Sequence, residues 1–290
     1  MSERVDKTWH SKGIDTYSVP AILGTLAHYG VAVTEEQFLE LAKEDFPLTI
    51  ATTWHERWKG TGQFSRFPAA AAEELWRRLK PGVIAPTDVA LAIVNLLNAL
   101  DAALDKKPDD GTWDTRFKVV EAYLPSIPTE AERRELFMSE FVAALSEYVE
   151  VFDGMAEALA RREQPALADR FVAFEEALIP ERKGVSSALV QAARGQVAEA
   201  MKALVAIAGD ASRDSASRLA AIDGLFLHEQ LEDARKFTLE LVDLAEKDKD
   251  VDLASDVVER LSELLRRDPK RADREDLRRR VEQLARTLEP

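Results

Sequence analysis

From Ser18 to Leu288 apolar side chains return every three or four residues, and that period suits amphipathic helices and little else. Only 12 Gly and 12 Pro interrupt 290 residues, and no stretch alternates convincingly at the period of a strand. The expected fold is therefore all-α. An N-terminal helical domain is expected over residues 1–126. A bundle or solenoid-like array of antiparallel helices is expected over 127–290. At 46% hydrophobic the chain is too apolar to remain disordered.

Local signals place the first elements. Residues 1–17 read as an arm. Ser18 or Tyr17 precedes a helix that admits Pro20 in its first turn, carries Leu23, Leu26 and Ala27, and ends at Gly30. Thr34 and Gln37 have capping-box spacing ahead of Phe38, Leu39, Leu41 and Ala42, a run that stops before Pro47. Pro68 opens another helix, ended by Pro81-Gly82. The run Val89–Leu104 is apolar on nearly all sides and is read as the centre of the N-terminal core. Lys106–Gly111 is a loop, and Leu124–Pro128 is the expected domain boundary.

Thr129 is read as the cap of one long helix reaching Pro165, with a seam of Phe137, Phe141, Leu145, Tyr148, Phe152, Met155 and Leu159. The seam suits a bundle helix or self-association. Val185 to Ile207 forms one stripe, closed by Gly209. Helix pairs follow at Ser212–Leu227 with Leu231–Lys247, and at Asp252–Arg267 with Asp273–Leu288. Aligned small and apolar residues in them are offset by 38 and 40 positions. In architecture this part resembles tetratricopeptide and HEAT arrays, whose stacked pairs imply an extended binding surface. Gly224 and Ala234 are ten apart, however, where the tetratricopeptide pattern places its small residues twelve apart.

Composition removes several functions. Without cysteine there is no disulfide, thiolate nucleophile, cysteine-held zinc or iron–sulfur cluster. The run Thr16–Ala42 resembles the opening of papain-like C39 peptidase domains, but the nucleophile position of that family holds no cysteine here. A net charge of −14 disfavours nucleic acid as a partner. No apolar run reaches membrane-spanning length, and the polar start has no secretory h-region, so a soluble cytoplasmic protein is expected.

The longest break in the helical period is Phe46–Pro68. It gathers Trp54, His55, Trp58, Phe64 and Arg66, the candidate binding residues. Trp54 and Trp58, four apart, would share a face on a helix. His55-Glu56 lacks the second histidine of a zinc-protease motif, and Gly60-Thr61-Gly62 lacks phosphate-loop spacing. Asp248–Glu259 has EF-hand-like acids but Leu253 where the turn needs glycine, so Asp250 or Asp252 is read as a helix cap. The basic run Arg266–Arg280 is interleaved with acids and reads as a solvated helix face. No cofactor or metal is expected. The leading expectation is a non-enzymatic adaptor or scaffold that binds a protein or peptide in a helical groove. The alternatives are a small-molecule sensor or divergent enzyme whose pocket is lined by the aromatic stretch, and a subunit that oligomerises through the Phe137–Phe152 seam.

Overall fold

The computed structural model describes residues 4–104, 112–268 and 272–288. The expected loop Lys106–Gly111 and the pair Lys270-Arg271 lie outside them. Every regular element among the described residues is helical, so the fold is all-α. Packing divides the chain into two compact units, one running to Asp153 and one from Gly154.

The first unit opens with a short turn of helix, α1 (Trp9–Lys12), followed by α2 (Val19–His28), α3 (Glu35–Glu44), α4 (Pro47–His55) and α5 (Phe67–Leu79). It continues through α6 (Pro86–Leu104), α7 (Thr112–Tyr123) and α8 (Ala131–Leu145) into α9 (Val149–Arg161), within which the division falls. Two caps here follow the sequence, whereas the expected Thr129 cap does not form and α8 starts after Glu130 without a side-chain cap. Ser18 Oγ accepts the amide of Ala21 at 3.2 Å. Thr34 Oγ1 accepts from Gln37 N at 3.2 Å while Gln37 Oε1 accepts from Thr34 N at 3.0 Å, a complete capping box. The N-terminal segment is docked rather than an arm. Val5 and Trp9 are buried, and the Val5 amide donates to Thr25 Oγ1 at 2.8 Å.

Three expectations change in this unit. Phe46–Pro68 contains a true helix, α4, whose Thr-rich sequence obscures its period. α6 packs on α7 and α8 and buries Val89, Ile93, Leu96, Leu97 and Leu100, but its other side faces outward, with Leu91 59% exposed beside Asn95 and Asn98. The long seam helix is broken. Ser146 takes φ +48°, a single 3-10 turn covers Ser146–Tyr148, and α8 and α9 are separate helices. Phe137, Phe141, Leu145 and Phe152 are buried in the unit's own core, and Tyr148 is half-buried. α8 packs on α6, and the compact division lies after Asp153, within α9.

The second unit continues with α10 (Pro165–Leu178), α11 (Val185–Ala193), α12 (Val197–Ala208), α13 (Ser215–Leu227), α14 (Leu231–Asp248), α15 (Val251–Arg267) and α16 (Arg274–Leu288). From α11 onward each helix packs chiefly on its neighbours in sequence. The stripe expected as one helix over Val185–Ile207 is two, split at Gly195, which adopts φ +86°. Asp214 and Asp250 cap α13 and α15 by accepting from Ser217 N at 2.7 Å and Leu253 N at 3.0 Å.

One turn recurs. Glu163, Gly195 and Glu229 all have left-handed φ, and the amides of the glutamines that follow reach back to Leu159, Gln191 and Leu225 carbonyls at 2.9–3.0 Å. These are Schellman C-caps. The next helix then begins at once and presents Ala168, Ala200 or Ala234, each fully buried. Lys249 and Asp250 repeat the geometry before α15.

Candidate functional site

α4 has no side-chain cap of its own. Phe46 occupies its N-cap and Pro47 its first position. The missing acceptor comes from α8. Glu140 is buried, and its carboxylate accepts Leu48 N at 3.0 Å and Thr49 N at 2.7 Å. A carboxylate on helix N-terminal amides is favoured by both the hydrogen bonds and the helix dipole. Arg133, also on α8, lies 3.8 Å over the Phe46 ring and donates to the carbonyl of Glu44 at 2.5 Å, closing the end of α3. Lys80 Nζ adds a bond to the Ala42 carbonyl at 2.6 Å. Burial, helped by the charge of Arg133, holds the Lys80 ammonium below its ordinary value, and burial likewise lowers Arg133.

So positioned, α4 delivers Trp54 against Phe38, with ring centroids 6.1 Å apart. The chain then turns at Glu56-Arg57, and Lys59 N donates to the Tyr29 carbonyl at 2.8 Å. This close approach is why residue 30 is glycine. Gly30 has φ +105°, and a Cβ there would lie 2.7 Å from the Arg57 carbonyl oxygen. Gly30 also ends α2 as a Schellman cap, with Val31 N bonded to Leu26 O at 2.9 Å.

The result is a groove of about 480 Å³ between residues 31–33, α3 and the end of α4. Val31 and Trp54 form its floor, and Val33 and Leu41 add apolar walls. Ala32, Gln37, Glu40, Glu44, Asp45 and Arg57 form the rest of its lining.

The five residues expected to bind do not converge. Trp54 is in the groove. Trp58 is not on its face, because α4 stops at His55. Trp58 instead stacks on Phe67 at 5.9 Å, lies 5.0 Å from Tyr29, and donates Nε1 to the Phe64 carbonyl at 3.0 Å. Phe64 is buried in the same cluster, and Trp9 pins it from the N-terminal side by donating to Gln63 O at 3.1 Å. His55 and Arg66 are exposed at the surface and do not line the groove. Most of the aromatic stretch thus anchors the connection from α4 to α5.

Sequence reasoning passed over Glu40, Leu41 and Glu44. Their signal was an apolar residue off the buried stripe of Phe38 and Ala42, set between two acids. A second groove, about 570 Å³, lies between α13 and α15. There Arg260 pairs with Asp223 at 2.6 Å and Arg266 and Arg267 share Glu263, so its charges answer one another.

No protein-family model, curated protein or solved structure matches the chain. Among the described residues no helix is long and apolar enough to cross a membrane, and no group of His, Asp and Glu is placed to hold a metal ion.

Proposed function

We propose that the protein is a non-enzymatic adaptor that takes a short apolar segment of a partner protein into the groove floored by Val31 and Trp54. The observation that carries this reading is Leu41. It is 37% exposed, it faces a recess large enough for one or two side chains, and it belongs to no stripe that the fold needs. An apolar side chain entering there would cover Leu41 and Val33 without disturbing the core, the arrangement of a helical groove that binds a peptide anchor. In the same proposal the second unit is a tetratricopeptide-like scaffold. The recurring turns before Ala168, Ala200 and Ala234, spaced by 32 and 34 residues, support that part.

The test is selection of a random dodecapeptide display library on the full chain, with counter-selection on a Leu41→Gln, Val33→Gln variant. Peptides that bind the wild type and are lost on the variant are expected, with circular dichroism unchanged. If every enriched peptide binds both proteins equally, the groove is not the binding site.

A further inference from the structure

We infer that the segment taken into the Val31–Trp54 groove is cationic, with Lys or Arg flanking its apolar anchor. This rests on the proposal that the groove binds a peptide. Leu41 stands between Glu40 and Glu44, one helical turn apart on α3, and Asp45 follows at the helix end. Three carboxylates and one guanidinium, Arg57, therefore line the groove. The neighbouring cations neutralise them only in part. Lys43 pairs with Glu40 at 2.6 Å, but both groups are largely exposed, so the pair is weak. Arg133 donates to the carbonyls of Ala42, Glu44 and Asp45 and lies over the Phe46 ring, and its charge offsets part of that of Asp45 and Glu44 from outside the groove lining. Among the described residues Glu44 and Asp45 have no ion-pair partner.

An acidic or phosphorylated segment would meet this rim at a cost, whereas a basic one gains from both Glu40 and Glu44 while its anchor covers Leu41. The chain's net charge of −14 acts in the same direction at long range. Binding should accordingly be fast and weaken with salt.

The experiment uses the dodecapeptides selected on the wild-type chain, synthesised with a fluorescent label. Their anisotropy is titrated against wild type, against Glu40→Gln with Glu44→Gln, and against Glu135→Gln with Glu147→Gln. The last variant removes the same charge from exposed positions outside the groove. The inference expects Lys and Arg enriched beside an apolar anchor. It also expects affinity lost by roughly tenfold or more at the groove acids, and by about twofold or less at the control pair. Groove-dependent peptides without basic enrichment would overturn the inference and leave the groove as a peptide site. Equal losses in both variants would reduce it to general charge attraction and overturn it too. If no peptide depends on Leu41 and Val33, the underlying reading fails as well.

Discussion

Glu140 accepts the amide of Thr49 at 2.7 Å across 91 residues of sequence, so the helix that carries Trp54 is capped from another element. Glu140→Ala leaves the half-buried amides of Leu48 and Thr49 without their carboxylate acceptor. The expected loss is about 2–3 kcal/mol from the first unit. All five tryptophans, Trp9, Trp54, Trp58, Trp76 and Trp113, lie in that unit, so denaturant unfolding followed by their fluorescence reads it directly. An unchanged midpoint would show that water replaces the carboxylate.

Gly30→Ala forces a side chain into φ +105° and against the Arg57 carbonyl. A cost of about 1–3 kcal/mol is expected in the same fluorescence transition. Because Arg57 and Trp54 border the groove, the proposed peptide binding should weaken with it. Gly62→Ala, where no neighbouring atom lies within 4 Å, should be milder despite its φ of +58°.

The recurring turns make a reciprocal prediction. Glu229 holds φ +57°, where glycine would relax the backbone, and Gly195 holds φ +86°, where alanine would strain it. Glu229→Gly should stabilise the second unit by about 0.5–1 kcal/mol, and Gly195→Ala should destabilise it by a similar amount. The reading is the far-ultraviolet dichroism transition that tryptophan fluorescence does not follow. Shifts of the same sign in both variants would contradict the equivalence of the turns.

Glu263 accepts from Arg266 and then from Arg267, which together hold its carboxyl down from 4.5 to about 2. A lowered carboxyl contributes stability above its ordinary value and loses it as pH falls through the folded one. Glu263→Gln should therefore melt slightly below wild type at neutral pH. That gap should close as pH falls from about 4.5 toward about 2. Glu263 is only half-buried and Arg266 is exposed, so solvent screens the interaction and the gap is small. A gap that persisted in acid would point to packing rather than charge.

The helical class and many helix ends were legible, because caps act locally. Thr34 with Gln37, Asp250 and the pair boundaries near Leu227 and Leu231 announced themselves by residue type and spacing. Other features depended on distant partners. α4 reads poorly because its cap belongs to Glu140. The break at Ser146 contains neither glycine nor proline, and an apolar seam of suitable spacing ran through it unmarked. The groove was half legible. Trp54 stood out by composition, but Val31, Glu40 and Leu41 become one surface only when the Gly30 turn folds residues 31–33 back toward α4. The turns at Glu163 and Glu229 were hidden because glutamate occupies positions where glycine is the usual marker.

The helices from α11 to α16, each leaning on its neighbours in sequence, also set the order of events during synthesis. As every new helix leaves the ribosome, the helix it packs on has already been made, so this part is expected to mature in the direction of translation. The first unit has no such convenience. α4 must wait for α8, translated some 90 residues later, before its end is closed, and until then the turn that carries Phe46 and Pro47 lacks the carboxylate that caps it.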